Sequence, residues 1–143
     1  MYGTTHLALG LIIGKLSGDY TASLCGSLLI DVDHLIPNWP FKKDLSWSEF
    51  WRRTRTSGDS SRVYLHSFFA WIFLSFLLYL FNPGFALIFS IAYLGHFILD
   101  MLDDSSFYPF YPIKKFNTKG LIPYFSSTEF IFSLVLFFIF LII

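Results

Sequence analysis

The sequence predicts an all-α, integral membrane helical bundle, and three observations carry that prediction. Hydrophobic residues make up 55% of the 143 residues and charged residues only 14%, against about 25% charged in an ordinary soluble domain. From Val63 to Leu99 there is no Asp, Glu, Lys or Arg. Aromatics reach 22%, with nineteen Phe, which excludes a disordered chain. Ten Lys+Arg balance ten Asp+Glu, so the basic excess of a nucleic-acid binder is missing. Cys25 is the single cysteine and founds no disulfide framework. The length suits one domain, residues 1–143.

The elements follow in order. His6 to Leu16 and Thr21 to Ile30 are apolar but short, rising only about 15–20 Å each. Ser17-Gly18-Asp19-Tyr20 separates them, so they are expected to form a short hairpin packed against longer spans. No basic residue precedes the first apolar run and no small-x-small site follows it, so no cleaved signal peptide is expected. The charge-free central run is long enough for two spans of roughly 18 residues. Asn82-Pro83-Gly84 divides it with a turn signal, predicting helices over Leu65–Phe81 and Phe85–Asp103. Phe130–Ile143 carries no charge; with Ser126-Ser127-Thr128 as its start, it is expected to be a third span.

Two polar segments, Pro37–Arg62 and Asp104–Tyr124, hold every Lys and Arg except Lys15, and the Asn82–Gly84 turn holds none. A central hairpin puts both segments on one side, and the positive-inside rule makes that side cytoplasmic. The expected location is therefore the inner (plasma) membrane, multi-pass. Trp47 to Arg53 reads as a short amphipathic helix at the headgroups, with a solvated loop as the alternative.

The four histidines carry the functional signal. His6 opens the first short helix and His34 closes the second, in Asp31-Val32-Asp33-His34. His66 opens the third helix, and His96 lies near the end of the fourth. In an up-down bundle all four approach the cytoplasmic face. His96, Asp100 and Asp103 stand at i, i+4 and i+7, one helix face, and Asp31 and His34 at i, i+3. The plain alternative is an interfacial belt of hydrogen-bonded polar residues. Against it, a carboxylate near lipid is costly unless paired or metal-bound, and all four His obey one geometry. Mixed His and Asp ligands suit Zn²⁺ best, with Mn²⁺ or Fe²⁺ as alternatives. Glu129, on the same side, favours the helix dipole at the start of the last helix and is an outside candidate for base or ligand. Gly10 and Gly14 follow His6 at i+4 and i+8, where small residues allow close helix approach.

The order Thr5-His6, Asp31-Val32-Asp33-His34, Arg62…His66-Ser67, Gly95-His96…Leu99-Asp100 and Tyr111-Pro112 resembles the LexA-regulated, membrane-bound metal-dependent hydrolase family. A more distant similarity is to zinc-dependent phospholipase C, which also uses an HxxxD pair. The resemblance implies a His/Asp metal centre of His6, Asp31, Asp33, His34, His66, His96 and Asp100. The chain departs from the pattern at Ile30, where Pro is usual, at Ser61, where His is usual, and at Asp103, where Thr is usual.

The function expected from these residues is metal-dependent hydrolysis of a phosphoester on a lipid or other amphiphile. Seven candidate ligands leave room for one or two ions. Asp33 or Asp103 is the candidate general base, and Arg62, one turn before His66, the candidate phosphate clamp. The partner is membrane lipid, not nucleic acid. The rival reading is a non-catalytic metal-binding membrane protein, such as a sensor, carrier or assembly factor. No His-Glu-x-x-His, Gly-x-Ser-x-Gly or Walker A motif is present, which argues against those enzyme classes.

Overall fold

The computed structural model describes residues 1–34 and 64–143, and the side chains of all these except Asp33 and His34. The described residues form five α-helices and no strand. We label them α1 (Gly3–Ser17), α2 (Tyr20–Leu28), α3 (Phe68–Phe81), α4 (Pro83–Leu102) and α5 (Ser127–Ile142), with a 3-10 helix, Leu29–His34, continuing α2. The Trp47–Arg53 amphipathic helix falls outside the described residues.

Local chemistry sets the boundaries. α1 stops at Gly18, whose φ of 78° lies in the left-handed region that glycine occupies without strain. The Gly18 N–H donates back to Gly14 O at 2.9 Å. Asp19 then caps α2, its carboxylate accepting from Ala22 N at 2.9 Å. Ser67 caps α3, accepting from Ala70 N at 3.2 Å. The third helix therefore starts at Phe68 rather than Leu65, and His66 precedes it. Asn82 ends α3 and caps α4, its Oδ1 accepting from Phe85 N at 3.1 Å. Pro83 takes the first helical position, where its missing N–H costs nothing. Ser126 caps α5, accepting from Glu129 N at 3.2 Å, so α5 begins at Ser127, within the expected Ser126–Thr128 start.

α4 ends at Leu102, one residue before the predicted Asp103. Asp103 is extended (φ −81°, ψ 157°), because its backbone leaves the helix to bridge Ile122. The expected i+7 alignment of Asp103 with His96 is therefore lost. Residues 103 to 126 run as irregular chain with two isolated bridges, Asp103 with Ile122 and Phe107 with Thr118.

The helices alternate in direction. α1 and α5 lie side by side and parallel, Ser133 Oγ meeting Thr4 Oγ1 at 3.3 Å near their starts and Lys15 Nζ meeting Phe140 O at 3.1 Å near their ends. The starts of α1, α3 and α5 and the ends of α2 and α4 consequently share one end of the bundle.

Apart from α4, which buries Phe89, Tyr93 and Phe97, the helices bury small and polar residues and leave large apolar ones outside. The buried positions of α1 are Thr5, His6, Ala8, Gly10 and Gly14, and α3 buries none of its residues. α5 buries only Glu129 and Ser133. Large apolar side chains such as Phe73, Phe76, Leu80, Phe138 and Leu141 point outward. A water-facing molecule does not expose so continuous an apolar surface, whereas lipid is as apolar as these side chains and small residues hold the helices together. α4, 20 residues and about 30 Å long, is the one described helix both long and apolar enough to cross a membrane.

α2 packs against α4 with backbone nearly touching backbone. A Cβ on Gly26 would collide with Phe89 O and stand 2.9 Å from Ala92 Cβ. By contrast, a Cβ on Gly3 meets nothing within 4 Å. Gly26→Ala is expected to cost about 1–3 kcal/mol of stability by overpacking, and Gly3→Ala to leave stability unchanged. Thermal unfolding of the two variants in the same detergent checks this.

Candidate metal centre

Five of the predicted site residues meet at the shared end of the bundle. His6 comes from the start of α1, Asp31 from the 3-10 helix, His66 from the residue before the α3 cap, and His96 and Asp100 from successive turns of α4. His6, His66, His96 and Asp100 are at most 1% exposed, while the Asp31 side chain is 29% exposed. The cluster is thus closed on the helix side and open at Asp31.

The ring of His96 is fixed from behind. Its Nδ1 lies 2.8 Å from the Ser27 carbonyl oxygen. A carbonyl only accepts, so Nδ1 carries a proton, and the tautomer this selects has its lone pair at Nε2. That lone pair faces His66 Nε2 at 3.1 Å, Asp100 Oδ2 at 3.4 Å and Asp31 Oδ1 at 3.6 Å. His66 Nε2 in turn lies 3.3 Å from Asp100 Oδ2 and 3.5 Å from Asp31 Oδ1. Metal-binding histidines commonly donate their second N–H to a backbone carbonyl in this way.

These spacings test whether an ion fits. Ligand atoms about 2.0–2.2 Å from a tetrahedral ion stand about 3.3–3.6 Å from one another. Five of the six separations among His66, His96, Asp31 and Asp100, all but Asp31 to Asp100, span 3.1 to 3.6 Å. Several electron-rich atoms converging in a buried site call for a shared cation or shared protons, and two His with two Asp form a donor set that Zn²⁺ accepts.

His6 stands at the edge of this group. Its ring stacks on His96 with centroids 3.7 Å apart and planes 15° apart. His6 Nε2 is 3.3 Å from Asp100 Oδ1, the carboxylate oxygen turned away from His66. The Nδ1 of His6 has no hydrogen-bond partner among the described residues. A buried ring nitrogen without a partner is costly. His6, His96 and Asp100 form one possible triad of ligands, and Asp31, His66 and His96 another.

Other predicted residues lie elsewhere. Asp103 sits at the end of α4, 2.7 Å from the Met1 amino nitrogen through Oδ2, and its Oδ1 accepts from Ser105 N at 2.8 Å. The same amino group is 2.9 Å from Asp100 Oδ1. Glu129 accepts from the backbone N–H groups of Tyr2 and Phe125, joining the start of α5 to the start of α1, and is in neither triad of possible ligands. The side chains of Asp33 and His34, and Arg62 and Ser61 entirely, lie outside the described residues.

Sequence reasoning missed two supporting residues. Ser27 acts through its backbone carbonyl, which no side-chain pattern announces. Tyr93 donates its hydroxyl to Leu65 O and so holds the residue before His66; its i, i+3 spacing to His96 was the available signal.

A family model described as YdjM inner membrane protein matches residues 1–143. That description gives a location and no activity. No curated protein sequence and no solved structure matches the chain.

Glu129 accepts from two backbone amides, and leaving such buried donors unpaired costs about 1–3 kcal/mol each. Glu129→Ala is accordingly expected to lower the unfolding temperature of the detergent-solubilised protein. Zinc affinity measured on the same sample should stay at the wild-type value, because the residue lies outside the cluster.

Proposed function

We propose that this chain, which belongs to the YdjM inner membrane protein family, is a membrane-bound metal-dependent hydrolase acting on a phosphoester of a lipid or other amphiphile at the cytoplasmic interface. The observation that carries the reading is the convergence of His66, His96, Asp31 and Asp100 at 3.1 to 3.6 Å spacing, with His96 oriented by Ser27. In this reading α3, α4 and α5 cross the bilayer and the α1–α2 hairpin packs within. α3 and α5 rise about 21 and 24 Å, so the bilayer thins locally around them. The basic segments set the cluster on the cytoplasmic side.

Asp31, His66, His96 and Asp100 would hold one ion, zinc before manganese or iron, and His6 with the far oxygen of Asp100 would contribute to a second. Such an ion supplies a water of lowered pKa and polarises a phosphoryl oxygen. The residues do the rest. Ser27 O keeps the His96 lone pair aimed at the site. Asp31, on the open side, stands where a headgroup enters. Asp33 and Arg62 take the roles of general base and phosphate clamp. Asp103, already engaged by the Met1 amino group and Ser105, positions the end of α4 in preference to moving protons. The burial of His66, His96 and Asp100 is what favours the rival, a non-catalytic metal-binding protein; the exposed Asp31 edge speaks for catalysis, which keeps a coordination position open.

The test is metal content and phospholipid hydrolysis of detergent-purified protein, wild type beside the His66→Ala/His96→Ala double variant. Wild type should retain about one or two equivalents of a transition metal and release water-soluble product from phospholipid, and the double variant should lose both. Metal retention with no hydrolysis across a phospholipid panel supports the non-catalytic rival. Absence of metal after loading with Zn²⁺, Mn²⁺ and Fe²⁺ overturns both readings.

A further inference from the structure

We propose that the cleft between α2 and α3 is the seat of one unbranched acyl chain of a glycerophospholipid whose phosphate lies at the His/Asp cluster. The inference rests on the hydrolase reading for the headgroup and adds where the tail goes.

The cleft arises from the packing order. α2 and α3 each pack along α4 but scarcely meet each other, which leaves a gap of about 240 Å³ floored by Phe89 and Tyr93 of α4. Cys25 forms part of one wall, and Leu74 and Leu78 part of the other. The wall contains no charged residue. Its one hydroxyl, that of Tyr93, is already donated to Leu65 O. A polar ligand would find no anchor there.

One end of the cleft belongs to the cluster. Ile30 and Leu65 line it, and the next residues in sequence are Asp31 and His66. Tyr93 stands one helical turn before His96. A molecule with a phosphate at Asp31 and His66 and a hydrocarbon tail in the cleft matches this change from polar to apolar. α4 rises about 10 Å from Phe89 to His96. A helix with its side chains, about 10–12 Å across, would fill about 800–1,100 Å³ over that length, several times the cleft's volume of about 240 Å³. The space therefore suits a hydrocarbon chain and not a helix from a second copy.

The experiment uses a phosphatidic acid with a photoactivatable diazirine midway along one acyl chain. The full chain is reconstituted in phosphatidylethanolamine–phosphatidylglycerol nanodiscs, irradiated, and the labelled residues are mapped by mass spectrometry. Labelling should favour Cys25 and Leu78 over the outward-facing Phe73, Phe76 and Leu80 by about tenfold, the equivalent of burying part of an apolar chain. Leu77 also lines the cleft and is 41% exposed, so Leu77→Trp should fold and cut cleft labelling several-fold. Leu74→Trp provides a second obstruction. Even labelling over the lipid-facing surface overturns the inference, as does cleft labelling by a polyprenyl-phosphate diazirine in place of the acyl probe. Cleft labelling without turnover sinks the hydrolase reading and leaves the tail site standing. Turnover with even labelling sinks the tail site alone.

Discussion

Asp100 is the constraint on which the rest of the structure depends. Its carboxylate is 1% exposed in a chain whose surroundings are apolar, and an unpaired charge there would cost several kcal/mol. One oxygen faces His66 and His96, while the other faces His6 and the Met1 amino group. Partners from α1, from the entry to α3 and from α4 itself must therefore all arrive at one place. The helix caps at Ser67 and Asn82 and the tight turn at Gly18 deliver them there.

The same requirement explains the small residues. Helices that bring His and Asp side chains within hydrogen-bond distance must approach closely over their length. Gly10 and Gly14 face Ser27 and Ser23, and Gly95 faces Leu9. Lipid gives no hydrophobic drive for helices to associate, so close contact and polar pairing hold the bundle. Large apolar side chains are buried mainly along α4, at Phe89, Tyr93 and Phe97, with Phe107 beside them; those of α3 and α5 face outward.

Much of this was legible in the sequence because its signals are local. The Asn82-Pro83-Gly84 turn, the Ser17–Tyr20 break and the Ser126 start each rest on residues that act on their own backbone. The convergence of His6, Asp31, His66, His96 and Asp100 followed from the positions of these residues near helix ends, since an up-down bundle alternates its ends. Asp103 failed that reasoning because helical spacing holds only while the helix lasts, and the bridge to Ile122 ends it at Leu102. Asp100 stands out in the sequence by its i+4 spacing from His96, whereas Glu129 reads as a helix-start carboxylate and an outside candidate for the site. Their partners are tertiary: Glu129 meets backbone amides of α1 and of its own cap, and Asp100 meets imidazoles. Ser27 was silent because its contribution is a carbonyl that every residue possesses.

The joint between α1 and α5 gives the first helix a splint. The turn just before His6 is held by Glu129 at the start of α5, which accepts from Tyr2 N. At the other end of the pair Lys15 Nζ reaches Phe140 O. α1 is thereby pinned at both ends to a helix that lends the His/Asp cluster no side chain, so one helix braces while its neighbour presents the chemistry.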